Sequence, residues 1–155
     1  MARLMCSCGT GLNNSNVPSD CILYIFSKKD VDNAITVDSD ITLYDFETGL
    51  DEKMEYWYCR NCKRVLAVES IPGGKVKGSY VESLSSDERG LTNLSAFYVF
   101  NDTEIYNAEE ENYKVLLSDF ILQQGEQHLY FADADRCMIY RLIQGDQYEL
   151  VYKKE

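Results

Sequence analysis

Two pairs of closely spaced cysteines are the residues of this sequence best suited to chemistry. One residue separates Cys6 from Cys8 in the stretch CSCG, and two residues separate Cys59 from Cys62 in YCRNCK. Four thiolates in two short-spaced pairs are a ligand set that tetrahedral Zn²⁺ prefers. Because sulfur would fill all four positions, no position is left for water or a substrate, and the pattern predicts a structural zinc ion.

Three other interpretations of the cysteine pairs compete with zinc. A disulfide requires an oxidising compartment, and a redox-active CxxC motif requires its first cysteine at a helix N-terminus, whereas strands are predicted on both sides of residues 59–62. Buried cysteines without a ligand are common, but not in two tight pairs. Cys21 and Cys137 lie in apolar strands and are expected to be inert core residues, and Trp57 is expected to pack in the core beside the CxxC turn.

The sequence offers no further group of residues typical of catalysis. The single histidine, His128, opens the predicted strand HLYF, and we expect it at a sheet surface or half-buried rather than in a pocket beside Cys137 or a carboxylate. The glycine-rich stretch at residues 73–75 lacks the other residues of a phosphate-binding loop. The chain is therefore not expected to be an enzyme.

The elements that position the cysteines follow from an internal similarity. Residues 23–34, LYIFSKKDVDNA, and residues 97–108, FYVFNDTEIYNA, share four identities in twelve positions at an offset of 74. Weaker matches continue in the same order after them. We interpret the similarity as a tandem duplication, although any two strand-then-helix segments share some of this pattern. The predicted fold is α+β, with two pseudo-symmetric strand–helix–meander repeats packed as one unit: a zinc-knuckle repeat at 1–86 and an acidic, metal-free repeat at 87–155.

Strands are predicted at seven places, namely 21–26, 55–58, 64–70, 75–82, 127–131, 137–143 and 147–153. Each copy's first strand leads into a helix with a capping box, formed by Ser27 and Asp30 in the first copy and by Asn101 and Glu104 in the second. The first helix is expected to end near Ala34. A second helical stretch is expected only in the second copy, at 113–124, and residues 83–93 are expected to connect the two copies.

The charge of the chain favours a basic partner. There are 26 acidic residues against 15 basic ones, a formal net charge of −11, which repels nucleic acid and anionic membranes. The densest acidic run lies on and after the helix of the second copy, where tyrosines could act as flat anchors. The residues predicted to contact the partner are Asp102, Glu104, Tyr106, Glu109, Glu110, Glu111 and Tyr113. The alternative is a solvated helix face that only confers solubility.

The N-terminus holds no apolar stretch typical of a signal peptide, and no later apolar run approaches the length of a membrane span. We therefore expect a cytoplasmic protein.

The cysteine motifs also carry a resemblance. The stretch MCSCG at residues 5–9 and the aromatic-flanked WYCRNC at 57–62 resemble small zinc-knuckle proteins of bacterial toxin-immunity loci. The resemblance implies a cytosolic, non-enzymatic protein that protects against a cognate toxin. The expected function is thus inhibition of a basic, nuclease-like toxin by an immunity protein.

Two other functions remain open at this point. One is a phage-encoded acidic inhibitor of a nucleic-acid-handling defence system. The other is a zinc-ribbon nucleic-acid-binding protein, which Arg60, Lys63 and Arg64 on the CxxC turn favour but the net charge of −11 disfavours.

Overall fold

The computed structural model describes residues 3–50, 54–69, 76–87, 94–111, 114–133, 138–144 and 147–155. The helices lie at Lys28–Val37 (α1), Leu43–Gly49 (α2), Asp102–Glu111 (α3) and Leu117–Gln124 (α4), and a 3₁₀ turn follows at Gly125–His128. The strands of the N-terminal part lie at Arg3–Met5 (β1), Gly11–Asn13 (β2), Ile22–Ser27 (β3), Met54–Tyr58 (β4), Val65–Glu69 (β5) and Val76–Asp87 (β6). Those that follow lie at Ser95–Asn101 (β7), Leu129–Ala132 (β8), Met138–Gln144 (β9) and Gln147–Lys154 (β10).

Eight of the strands close into an antiparallel barrel in the order β10-β6-β5-β4-β3-β7-β8-β9, while β1 and β2 form a separate hairpin. The α+β class is thereby confirmed, but closure into a barrel was not expected. It results from two long-range pairings. Strand β3 pairs with β7, with Tyr24 opposite Phe100, and β6 pairs with β10, with Glu82 opposite Tyr152. Closure leaves these eight strands without an unpaired edge.

The two parts of the barrel have the same order of elements. In each, one strand is followed by two helices and then by three strands. The parts also meet through a short bridge between Thr42 and Leu116. There the amide of Leu43 donates to the carbonyl of Val115 and the amide of Leu117 donates to the carbonyl of Ile41, both at 2.9 Å. Val115 and Leu117 lie 74 residues after Ile41 and Leu43, the same offset that relates the two similar sequence segments. The two bonds are therefore equivalent, with the donor and acceptor parts exchanged.

The four helices cover the outer face of β3 and β7. Their apolar residues pack on the outward aromatic side chains of these strands, and Phe26 and Phe100 are almost completely buried there. The ring of Phe100 lies 4.7 Å from that of Phe120 on α4 and 5.8 Å from that of Phe26, measured between centroids. This cluster ties the helical layer to the barrel.

Helix capping follows the sequence in one copy but not in the other. Asn101 Oδ1 accepts the amide of Glu104 at 2.8 Å, and Glu104 Oε1 accepts the amide of Asn101 at 3.0 Å, so the predicted capping box before α3 is confirmed. The side chain of Ser27 makes no capping bond, so the box predicted with Asp30 is wrong. Ser27 is still the last residue of β3, paired with Phe97.

Several predicted boundaries shift in the structure. Helix α1 continues to Val37 instead of ending near Ala34, and α2 was not predicted because it is only seven residues long. Thr42 begins α2 by accepting the amide of Asp45 at 3.1 Å. Helix α4 begins at Leu117 rather than at 113, and β8 begins at Leu129 because a 3₁₀ turn precedes it.

The segment expected to connect the two copies is partly strand. Strand β6 extends to Asp87 and pairs with β10, with Ser85 opposite Leu150, whereas residues 88–93 lie outside the described part of the chain. The division into units at 1–86 and 87–155 stays a prediction. Among the described residues, no helix is long and apolar enough to cross a membrane.

We predict that Phe100→Ala lowers the free energy of unfolding by about 3 to 5 kcal/mol, because it opens a cavity between the barrel and the helical layer. The matched control is Leu122→Ala, whose side chain is 84% exposed on α4 and whose loss should change stability by less than about 0.5 kcal/mol. Urea unfolding of both variants measures the difference. Equal effects of the two substitutions would contradict the packing described for Phe100.

Candidate metal centre

The first cysteine pair lies in the turn of the β1–β2 hairpin. The amide of Cys6 donates to the carbonyl of Thr10 at 2.9 Å, and the amide of Gly9 donates to the carbonyl of Cys6 at 2.9 Å. Gly9 follows Cys8 directly and has a φ of 92°, a left-handed conformation that glycine adopts without a steric penalty. The turn therefore reverses sharply and presents both sulfur atoms on one side.

The second cysteine pair lies in the turn between β4 and β5, as the sequence predicts. The amide of Cys59 donates to the carbonyl of Arg64 at 2.9 Å, and the amide of Lys63 donates to the carbonyl of Cys59 at 2.8 Å. Lys63 follows Cys62 directly and has a φ of 63°. Both turns thus share one layout, in which the first cysteine amide closes the turn and a left-handed residue follows the second cysteine.

The four sulfur atoms converge. Cys6 Sγ lies 3.5 Å from Cys62 Sγ, Cys8 Sγ lies 3.7 Å from Cys59 Sγ, and all four lie within 4.8 Å of one another. A tetrahedron with Zn–S bonds of about 2.3 Å has edges of about 3.8 Å, close to the two shortest separations. Both separations are far longer than the S–S bond of about 2.05 Å in a disulfide. The four cysteines can therefore hold one metal ion.

One side of the sulfur cluster is buried, and the other side is open to solvent. Cys6 and Cys59 are 2% and 0% exposed, whereas Cys62 is half-buried and Cys8 is exposed. Trp57 packs in the same apolar cluster, as predicted, and its indole N–H donates to Glu55 at 3.1 Å. The hairpin is thus fixed to the outer face of β4 and β5 by apolar contacts as well as by the sulfur atoms.

The remaining cysteines behave as expected where they are described. Cys21 is buried beside the cluster, but its thiol donates to the carbonyl of Asn13 at 3.0 Å and it does not join the four sulfur atoms. Burial raises the pKa of the Cys21 thiol. The predicted core position is confirmed for Cys21, its inertness stays a prediction, and Cys137 lies outside the described residues.

The two thiols of the first pair differ electrostatically. Burial raises the pKa of the Cys6 thiol to about 12. Hydrogen bonds with Thr10 and Asn61, at 3.2 and 3.6 Å, lower the pKa of Cys8 to about 5. A cation bound by the four sulfur atoms would supply the charge that the buried Cys6 thiolate needs.

The basic side chains of the CxxC turn have different surroundings. Arg64 donates to the Glu155 carboxylate from Nε at 3.2 Å and from Nη2 at 3.0 Å, which fixes the last residue of the chain against the turn. Lys63 Nζ lies 6.0 Å from the centroid of the Tyr58 ring. Arg60 is exposed. Arg64 is thus already paired within the protein, which leaves fewer free cations here than the sequence suggests.

Two of the residues predicted to contact a partner are engaged inside the molecule. Asp102 accepts the amide of Ser19 at 2.6 Å and the hydroxyl of Tyr24 at 3.0 Å. Glu104 completes the capping box of α3 and also contacts His128, with Oε2 at 2.7 Å from Nε2. These carboxylates contribute to the fold, and their role in binding stays a prediction.

The other predicted contact residues lie further along α3. Glu110 is exposed, whereas Tyr106 and Glu109 are half-buried. Burial raises the pKa of the Glu109 carboxyl, and its Oε1 atom is buried without a hydrogen-bond partner among the described residues. The Glu111 side chain and the whole of Tyr113 lie outside the described residues.

His128 is half-buried, as expected, but it lies beside a carboxylate. Its Nε2 atom contacts Glu104, and its ring centroid lies 4.9 Å from that of Phe100. The 3₁₀ turn that ends at His128 causes this, because it brings the imidazole against the first turn of α3. The same Glu104 carboxylate caps that helix, so the pair links the two elements.

Comparison with known protein families identified one match. A family model described as a domain of unknown function (DUF8617) matches residues 2–110, a stretch that contains all four clustered cysteines. No curated protein and no solved structure matched the chain.

We predict that Cys59→Ser lowers the zinc content of the purified protein from one equivalent to near zero, because it removes a buried ligand. It should also lower the melting temperature by several degrees, since metal binding contributes folding energy. The measurements are elemental analysis and thermal unfolding.

Cys21→Ser is the matched control, because it alters a buried cysteine that lies beside the site but outside the four-sulfur set. It should keep one equivalent of zinc. Zinc retained by Cys59→Ser, or lost equally from both variants, would refute the ligand assignment.

Proposed function

The chain belongs to the DUF8617 family, and we propose that it is a non-enzymatic protein-binding protein in which structural Zn²⁺ holds the N-terminal hairpin against the barrel. Four sulfur ligands favour this role, because they complete a tetrahedral shell and leave no position for a substrate. Both ligand pairs lie in tight hairpin turns from distant parts of the chain, so a bound ion would join the two turns and contribute folding energy.

The proposed partner is a basic protein that docks on the helical layer, defined as residues 28–50 and 102–128. The distribution of charge carries this proposal. The helical layer has 13 acidic residues against 3 basic ones, whereas the remainder of the chain has 13 acidic against 12 basic. Nearly all of the net charge therefore lies on one side of the barrel, where it would attract and orient a cationic surface.

Exposed apolar side chains on the same layer support docking. Val37, Tyr44 and Leu122 are 88%, 51% and 84% exposed, and they lie on α1, α2 and α4. Apolar and aromatic anchors surrounded by charged residues are typical of protein interfaces, in which the anchors supply affinity and the charges supply orientation and association rate.

A nuclease-like toxin is the class of basic partner that we propose, with the chain acting as a cytoplasmic immunity protein. Enzymes that bind phosphate groups carry cationic clefts, and a layer of carboxylates can occupy such a cleft in place of nucleic acid. The resemblance of the two cysteine motifs to proteins of toxin-immunity loci agrees with this setting. A phage-encoded inhibitor would use the same layer, but no feature of the structure favours it.

We also propose that the barrel arose by tandem duplication of one strand–helix–helix–meander unit. The equal order of elements and the pairing of β3 with β7 and of β6 with β10 support this. In the second copy, Phe131 and Ala134 align with Cys59 and Cys62. The proposal therefore places zinc in the first copy alone. This is expected for an ion that stabilises one copy rather than for a reaction that both copies perform.

We predict that charge reversal on the helical layer slows association with the basic partner. The variant combines Asp45→Lys, Glu110→Lys and Asp119→Lys, three exposed positions on α2, α3 and α4. Its association rate should fall at least tenfold at low salt, and the loss should shrink as ionic strength rises, because electrostatic steering is screened. The partner is first recovered from the native host with the zinc-loaded chain as bait, and rates are then measured by surface plasmon resonance.

The matched control combines Glu69→Lys, Glu82→Lys and Glu149→Lys, which change the net charge equally on strands β5, β6 and β10. It should slow association far less than the first variant. Equal effects of the two variants would remove the helical layer as the interface. Tight binding of the unmodified chain to nucleic acid in a gel shift would instead favour the zinc-ribbon alternative.

A further inference from the structure

The barrel contains a cavity, open at one end, that the proposed docking function does not use. Its volume is about 260 Å³, and it is lined by side chains from seven of the eight barrel strands and from three segments at one end of the barrel. Eight-stranded barrels are either filled by their own side chains or keep room for one small ligand. This volume lies just below the usual range of about 300 to 1,000 Å³ for ligand pockets, so a compact molecule suits it.

The exposure of alternate side chains shows that the barrel is not filled. Phe26 and Phe100 point outward to the helices and are 1% and 0% exposed. Ile25 and Val99 lie opposite each other on the inner face of the same two strands, and both line the cavity and remain partly exposed. In a packed barrel the inward residues would be the more buried ones, so the open space is a property of the barrel interior.

The cavity wall is rich in aromatic rings. Phe97 on β7 and Tyr130 on β8 are neighbours across the two strands, with stacked rings whose centroids are 6.2 Å apart. Tyr58 on β4 and Tyr152 on β10 also line the cavity. Flat rings combined with aliphatic walls favour a planar aromatic ligand, because offset and edge-to-face ring contacts add to the burial of apolar surface.

Three tyrosines, Tyr58, Tyr130 and Tyr152, line the cavity from β4, β8 and β10. Burial raises the pKa of Tyr152 to about 12, as expected for a phenol group in a largely apolar wall. Neutral donors and acceptors that converge in an apolar pocket fix the orientation of a ligand that carries a matching polar group.

Among the described residues that line the cavity, the charged side chains lie at its rim. Asp20, just before β3, and Arg60, on the CxxC turn, are both exposed and both line the cavity. Their opposite charges offset each other, and the described lining residues farther inside are apolar or carry neutral polar groups. An uncharged ligand therefore suits the cavity better than an ion does. Arg60 lies between Cys59 and Cys62 in the sequence. A metal ion bound by these cysteines would therefore also fix the position of this part of the cavity rim.

We propose that the barrel cavity binds a compact, uncharged aromatic molecule whose hydroxyl or amide group hydrogen-bonds to Tyr58, Tyr130 and Tyr152. This site lies inside the barrel, whereas the proposed protein interface lies on the helical layer outside it. The two proposals can therefore be tested independently of each other.

The test uses 2-naphthol as the probe, with the full-length, zinc-loaded chain, in isothermal titration calorimetry. We expect saturable binding with one site per chain. Tyr152→Phe keeps the ring but removes one hydroxyl, and it should weaken binding about fivefold, the effect of one hydrogen bond. Val99→Trp should weaken binding at least tenfold, because the indole fills the cavity. Tyr44→Phe removes an exposed hydroxyl on the helical layer and should change nothing.

A second measurement requires no substitution and so does not depend on whether Val99→Trp folds. In the wild-type chain labelled with ¹³C-tyrosine, 2-naphthol should shift the NMR signals of Tyr58, Tyr130 and Tyr152 and leave that of Tyr44 in place. The absence of saturable binding, or shifts at Tyr44 without shifts at the three cavity tyrosines, would overturn the proposal.

Discussion

The N-terminal part of the protein is held in place by four sulfur atoms, which two hairpin turns bring together. The β1–β2 hairpin has only three residues in each strand, so it has little structure of its own and is held by the sulfur cluster and by packing around Trp57. A metal ion in this cluster would fix the hairpin to β4 and β5 and would hold the CxxC turn rigid. Because that turn carries Arg60, the same constraint shapes one rim of the barrel cavity.

The barrel divides the protein into three surfaces with different chemistry. The outer face of β4 and β5 carries the sulfur cluster, the outer face of β3 and β7 carries the helical layer with almost all of the net charge, and the inner face surrounds an aromatic cavity. Alternation along each strand makes this possible, since neighbouring residues point to opposite faces. In β3, for example, Ile25 faces the cavity and Phe26 faces the helices.

The sequence predicts the two cysteine turns and one helix cap, whose partners lie within a few residues of each other, and the structure confirms these. The cysteine pairs fall in tight turns, and the capping box of Asn101 and Glu104 forms, whereas the equally spaced Ser27 and Asp30 form none. Barrel closure was not predictable in the same way, since it depends on pairs such as Glu82 with Tyr152, 70 residues apart in the chain. The cavity was missed for the same reason, because its lining residues come together only when the barrel closes.

The charged surface, too, could be predicted from the sequence only in part. The acidic run around Glu109 and Glu110 was visible in the sequence, but the acidic residues after α1 and on α2 join it only through packing of the helices. Sequence inspection also could not show that Asp102 binds Ser19 or that Glu104 contacts His128, because these partners lie on other elements.

The proposed structural role requires that one zinc ion be enclosed by four sulfur atoms and have no further ligand. X-ray absorption at the zinc edge, recorded on the whole 155-residue chain as purified, measures the ligand shell. We expect a single shell of four sulfur scatterers at about 2.3 Å. A mixed shell that includes oxygen or nitrogen at about 2.0 Å, or a protein that contains no zinc, would contradict it.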